Sequence, residues 1–108
     1  TSATGLIVFD LELGYGDNPS GPRSQVEVHY TGWTTDGEMF DSSVVRGEPT
    51  SFPLNRVIPG WTEGVQLMPV GSKFMFYVPP DLGYGPAGGG PIGPNATLIF
   101  EVELLGIE

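Results

Sequence analysis

Cysteine is absent from this chain of 108 residues, which removes disulfides, thiolate nucleophiles and thiolate-held metals from consideration. Cations are scarce too: four Lys and Arg stand against 13 Asp and Glu, a formal charge of −9. Nucleic acid and anionic membrane surfaces are bound through clustered Lys and Arg, so neither is expected as a partner. Histidine occurs once, at His29, with no metal-ligand cluster around it in the sequence and no G-x-S-x-G elbow for it to activate. No apolar run nears the roughly 20 residues of a membrane-spanning helix, and no secretory leader is recognisable. The chain starts at Thr1, so it is expected to be a processed or excised piece.

Glycine and proline are what the chain has in abundance, 17 and 11 residues, and they predict long ordered loops. The hydrophobic fraction, 39%, suits a globular core, and the length suits one small domain over 1–108. Period-two alternation marks the strands. Gly5 to Leu13 puts Ile7, Phe9, Leu11 and Leu13 on one face and Asp10 and Glu12 on the other. Gln25 to Trp33 opposes Val26, Val28 and Tyr30 to Glu27, His29 and Thr31. Asp36-Gly37 signals a hairpin turn, and Met39 to Ser43 is the return strand. Val44 to Leu54 is read as a loop. Ser72 to Val78 and Thr97 to Leu105 are further strands, the last with Leu98, Phe100, Val102 and Leu104 inward. Between them, Pro79 to Asn95 is a Pro/Gly loop of a length that usually serves a function.

One stretch, Val57 to Pro69, carries a helical pattern: Trp61, Val65 and Met68 share a face, Pro59-Gly60 precedes it and Pro69 closes it. Glu63 is expected in the first turn, where negative charge suits the helix dipole. About five strands joined mostly without crossover helices, plus one short helix, predict an α+β fold with an antiparallel sheet and the helix on one face.

Several residues invite a chemical reading. Glu101 and Glu103 share a strand face roughly 7 Å apart, a pairing that could suggest glycoside hydrolysis; a solvated strand face is the simpler account. The glycine-rich Gly83 to Gly93 lacks the Gly-Lys-Ser/Thr ending of a phosphate loop and has no helix after it. His29 alternates out of phase with Tyr30 and is expected to point away from it. The aromatic residues say more. Trp61 follows Pro-Gly, Tyr84 sits in the long loop and Phe40 precedes Asp41, places where rings line pockets more often than in mid-strand.

Val28-His29-Tyr30-Thr31-Gly32, Asp36-Gly37, Phe40-Asp41-Ser42-Ser43, Val57-Ile58-Pro59-Gly60-Trp61, Leu82-Gly83-Tyr84-Gly85 and Ala96-Thr97-Leu98-Ile99-Phe100 occur together and in order. With them the chain resembles the FKBP-type peptidyl-prolyl cis-trans isomerases along nearly its whole length. Val57 to Met68 and Gly90-Pro91-Ile92-Gly93-Pro94-Asn95 make it most similar to the bacterial macrophage-infectivity-potentiator (Mip) group.

The resemblance implies a twisted antiparallel sheet half-wrapped around the helix, with a pocket between them. It implies isomerisation of X–Pro bonds in protein folding, without metal or cofactor. Tyr30, Phe40, Asp41, Tyr84 and Phe100 match the family's catalytic positions, and Arg46, Val57, Ile58, Trp61 and Ile92 its substrate-binding ones. By the same likeness Trp61 is the pocket floor, Tyr84 and the Ile58 N–H donate to ligand carbonyls, and Asp41 is partnered by Tyr30 and Arg46. The implied partners are proline-containing polypeptides, with the macrolides rapamycin and tacrolimus as inhibitors. The implied setting is the bacterial periplasm or cell envelope, the cytoplasm being left open. This piece is expected to be a monomer. A proline-binding module or chaperone without turnover is the alternative reading. Three departures touch the rim. Thr50 stands where many relatives carry an aromatic, Phe52 to Val57 is about two residues shorter than in small eukaryotic members, and no bulky residue stands near Gly89.

Overall fold

The inward row of the last strand sets which side of the sheet is the interior. Leu98, Phe100, Val102 and Leu104 are all buried, while the residues between them are not. The computed structural model describes residues 5–21, 23–86, 88 and 92–107. Its strands are β1 (Ile7–Glu12), β2 (Gln25–Thr34), β3 (Met39–Ser42), β4 (Thr50–Pro53), β5 (Lys73–Val78) and β6 (Leu98–Ile107). Two α-helices accompany them, α1 (Ser43–Arg46) and α2 (Pro59–Val65), with 3-10 turns at Leu54–Arg56 and Pro80–Leu82. The sheet is antiparallel in the order β1-β5-β6-β2-β3, and β4 also pairs with β2. This is the expected α+β architecture, with one strand more than the sequence suggested.

The extra strand is β4, in the stretch read as a loop. Thr50 and Phe52 alternate with Ser51, but Pro49 and Pro53 conceal the pattern. Proline is tolerated here because β4 is at a sheet edge, where a missing N–H leaves no ladder bond unmade. β3 and β4 lie along the same side of β2, β3 against Thr31–Trp33 and β4 against Gln25–Val28. Together they form one interrupted edge, and α1 fills the interruption.

α2 closes the interior. Pro59 opens it at the first helical position, where its missing N–H and fixed φ cost nothing. The Ile58 carbonyl accepts from both Trp61 N (3.0 Å) and Thr62 N (3.2 Å). The helix ends at Val65, so Met68 is buried from the turn beyond it rather than from the helix itself. Glu63 is its fifth residue, past the first turn, and the dipole argument made for it does not apply. Two glycines let α2 settle on β5: a Cβ on Gly60 would lie 2.8 Å from Val78 Cγ1, and one on Gly64 2.9 Å from Phe76 Cζ. Beneath them Phe74, Phe76 and Val78 are buried, at about 1.5–3 kcal/mol for each such side chain removed from water.

β1 shows the limit of reading alternation. Ile7, Phe9 and Leu11 do share a face, but it is the outer one: Phe9, Leu11 and Leu13 are exposed, and Leu6 and Val8 reach the core instead. The register pairs Val8 with buried Phe76 and Phe9 with Met75, and Phe9 packs edge-on against Tyr77 outside, ring centres 5.7 Å apart. Alternation defines two faces; only the helix decides which is covered.

Candidate active site

β2 carries its inward row, Val26, Val28, Tyr30 and Gly32, from the core to the open end of the sheet. There Tyr30 and Phe100 approach the start of α2, and both meet Trp61. Tyr30 stands edge-on to the indole at 5.1 Å, Phe100 at 5.2 Å, and Phe52 is tilted against it at 5.3 Å. Such pairs are worth about 0.5–1.5 kcal/mol each beyond their burial, so Trp61 is held on three sides. Its indole N–H is buried with no acceptor among the described residues. An unmet donor costs about 1–3 kcal/mol, and such costs are more readily explained at a site than in ordinary packing.

Phe40 and Asp41 are neighbours on β3, and regular alternation would put them on opposite faces. The pairing slips here: Gly32 pairs with Asp41, but Trp33 pairs with Met39, leaving Phe40 as an extra residue. A bulge of this kind re-aims side chains, and both Phe40 and Asp41 face the same cleft. Phe40 stands edge-on to Phe100, ring centres 5.5 Å apart.

The cleft has a volume of about 440 Å³, within the usual range for a small-ligand site. Trp61 is its floor, Phe40 and Phe100 a wall, and Val57, Ile58 and Tyr84 the rim nearest the helix start and the Pro/Gly loop. The Ile58 N–H has no backbone acceptor among the described residues, and Tyr84 is exposed, with no hydrogen bond from its hydroxyl there.

Asp41 is the acid in this lining, and it is engaged. Tyr30 Oη donates to one carboxylate oxygen at 2.5 Å and Arg46 Nη1 to the other at 2.5 Å. Arg46 Nη2 also donates to Tyr30 Oη (3.3 Å) and to Thr50 Oγ1 (3.1 Å), and its guanidinium sits 5.6 Å from the Tyr30 ring centre. α1 makes this possible: Ser42 Oγ caps it by accepting from Val45 N, and its last residue is Arg46. The buried Ser43 hydroxyl fastens α1 to β2, accepting from Tyr30 N at 2.8 Å and bonding His29 Nδ1 at 3.0 Å. Burial raises the Tyr30 phenol pKa, and the bond to Asp41 raises it further, against a smaller lowering by Arg46. Arg46 is held more firmly in its charged form by Tyr30 and Asp41.

Eight of the ten residues matched by resemblance therefore line one cleft: Tyr30, Phe40, Asp41, Val57, Ile58, Trp61, Tyr84 and Phe100. Arg46 stands behind the lining and acts through Asp41. Ile92 is buried in the core and does not reach the cleft surface. The loop tip near Gly89 lies outside the described residues. Phe52 and Arg56 also line the cleft and were missed by the sequence reading, and Thr50, placed at the rim by the resemblance, lines it too. Thr50 and Phe52 belong to the strand hidden between prolines, and Arg56 follows in the 3-10 turn. His29 points elsewhere, to Ser43. No group of metal-ligating side chains occurs among the described residues.

The cleft is thus ring-walled and apolar, with one neutralised acid and two donors, the Ile58 N–H and the Tyr84 hydroxyl, that have no acceptor among the described residues. The family of FKBP-type peptidyl-prolyl cis-trans isomerases matches residues 16–105, and the chain belongs to it. It is 63% identical over 108 residues to the FKBP-type peptidyl-prolyl cis-trans isomerase FkpA of Aeromonas hydrophila, covering all of this chain and 40% of that protein. It is 48% identical over 106 residues to the outer membrane protein MIP of Legionella longbeachae, covering 97% of this chain and 45% of that one. The crystal structure of FkpA from Escherichia coli superposes with a TM-score of 0.96 at 48% identity, over all of this chain and 50% of that one. The chain thus spans half or less of the length of these relatives.

Proposed function

We propose that this cleft seats the proline ring of an X–Pro segment on Trp61 and speeds rotation about the preceding amide. The observation that carries the reading is the floor itself, an indole fixed by Tyr30, Phe52 and Phe100. The uncatalysed rotation crosses a barrier of ~18–20 kcal/mol and takes roughly tens of seconds. No bond breaks, so the reaction asks for neither a nucleophile nor a proton donor to the leaving group. A planar amide is polar through resonance, and twisting it withdraws charge from the oxygen. A cleft walled by Phe40 and Phe100 therefore stabilises the twisted amide relative to the planar one, which is differential binding of the transition state. Tyr84 and the Ile58 N–H hold the flanking carbonyls and keep the chain bent. Tyr30 and Arg46 fix Asp41, so that it presents a directed carboxylate beside the ring. A thousandfold acceleration needs about 4 kcal/mol, within reach of such a cleft. The same cleft is where we seat a macrolide such as rapamycin or tacrolimus, as a competitor of the peptide.

The test is cis-to-trans isomerisation of a Leu-Pro peptide. Phe40→Ala opens the wall and is expected to lower kcat/KM at least tenfold, about 1.4 kcal/mol, with the far-UV CD spectrum unchanged. Full activity in Phe40→Ala would move the site elsewhere.

A further inference from the structure

The chain has four basic residues, Arg23, Arg46, Arg56 and Lys73. Arg46 is paired with Asp41 and Lys73 with Glu101. Arg56 forms no ion pair with any described residue, is exposed, and lines the cleft. It ends the 3-10 turn Leu54–Arg56, two residues before the Ile58 N–H. The other charged residue of the lining, Asp41, has both oxygens taken by Tyr30 and Arg46. A ligand with charge beside its proline thus meets one uncommitted charged group, a guanidinium, whose planar fork suits a carboxylate.

We infer that Arg56 is a specificity residue that favours X–Pro segments carrying Asp or Glu next to the bound dipeptide. The inference rests on the proline site proposed above and adds the substrate class it prefers. The chain as a whole works the other way. At a formal charge of −9 its field repels acidic polypeptides, but beyond a Debye length of about 10 Å at 0.1 M salt that repulsion is largely screened. A contact at the mouth lies inside this distance. Arg56 therefore gives an acidic protein a local site for acidic clients, and without it the remaining field favours basic ones.

The experiment uses three peptides that differ only in the residue flanking Leu-Pro: Glu, Gln or Lys. In Arg56→Gln the ratio of kcat/KM for the Glu peptide to that for the Lys peptide is expected to fall about threefold, the size of an exposed ion pair. The change should lie in KM and be larger for the Glu and Lys peptides than for the Gln peptide. Arg56→Glu should push the ratio further down, and about 1 M salt, where the Debye length is ~3 Å, should narrow all the differences. An unchanged ratio in both variants overturns the inference. So does an equal loss on all three peptides, because Arg56 would then be shaping the cleft rather than reading charge. Phe40→Ala is assayed in parallel. Lower rates on all three peptides at a constant ratio keep the proline site in place, so that a failure of the Arg56 arm concerns Arg56 alone. Undiminished rates in Phe40→Ala would refute the site and the specificity together.

Discussion

Gly32→Ala puts one methyl where the two wall rings of the cleft meet. A Cβ built there would lie 2.6 Å from Phe40 Cζ, 2.8 Å from Phe100 Cε1 and 3.0 Å from Phe100 Cδ1. Carbon atoms settle at about 3.5–4.0 Å, so the rings must retreat by about 1 Å. They are not equally free to do so. Phe100 is 4% exposed and backed by Trp61, whereas Phe40 is half-buried beside an open cleft. Phe40 is therefore the ring that moves, and the space it moves into is the proline's. Overpacking of this kind costs about 1–3 kcal/mol, and each kcal/mol lowers the melting temperature of a chain this size by roughly 4–8 °C. The activity loss should be larger: displacement of a reacting group's surroundings by about 1 Å can cost 10²-fold. Thermal unfolding followed by CD gives the first quantity and the Leu-Pro isomerisation rate, measured well below the melting temperature, gives the second. Wild-type values of both would show that Gly32 is not needed for the close approach. A lowered melting temperature with a full rate would show that Phe40 is not a wall of the site.

Tyr84→Phe removes an exposed hydroxyl without changing the ring, so it should weaken binding of a macrolide or peptide by about 0.5–1.5 kcal/mol, one neutral hydrogen bond, and leave the melting temperature alone; an unchanged dissociation constant in calorimetry removes Tyr84 from the site. The pH profile of kcat/KM should be flat from about pH 6 to 8. Tyr30 has its pKa raised, by burial and then by Asp41, so its neutral form is the one the fold favours. What it contributes is complete below ~10 and is lost only as pH rises through the higher folded value. His29 bonds Ser43 outside the cleft, so His29→Gln should keep the flat profile and near-wild-type rates. A tenfold step in the neutral range that disappears in His29→Gln would sink the desolvation mechanism.

How much of this was legible in the chain follows from what each signal measures. Alternation in β6 reports burial on one face, and there it named the core residues Leu98, Phe100, Val102 and Leu104 correctly. In β1 the same signal named a face that lies outside. The edge strand has apolar residues on both sides, and the sequence does not say where α2 will lie. The helix pattern located Trp61 and Val65, but its end was set by backbone geometry after Val65 and not by the apolar stripe that runs on to Met68. Most of the cleft was reached through motif resemblance, because its members lie on β2, β3, α2, β6 and the loop before β6 and share no period. Phe52 escaped, and Thr50 was placed at the rim by resemblance alone, because two prolines read as a loop, although an edge strand tolerates both.

The bulge at Phe40 and the interruption by α1 explain why resemblance was needed at the cleft. Periodic signals describe regular elements, and this site is assembled where β3 stops being regular. One extra residue turns Phe40 to the same side as Asp41. The strand then breaks, and Ser42 starts a four-residue helix, whose last member, Arg46, returns to the Asp41 carboxylate. The chain resumes as β4 and brings Thr50 within reach of the same guanidinium and Phe52 against Trp61. A continuous edge strand would have kept Asp41 facing away from Phe40 and left no residue positioned to neutralise it. The departures from regularity that conceal the site in the sequence are thus the ones that set an acid, its two partners and an apolar wall around one cleft.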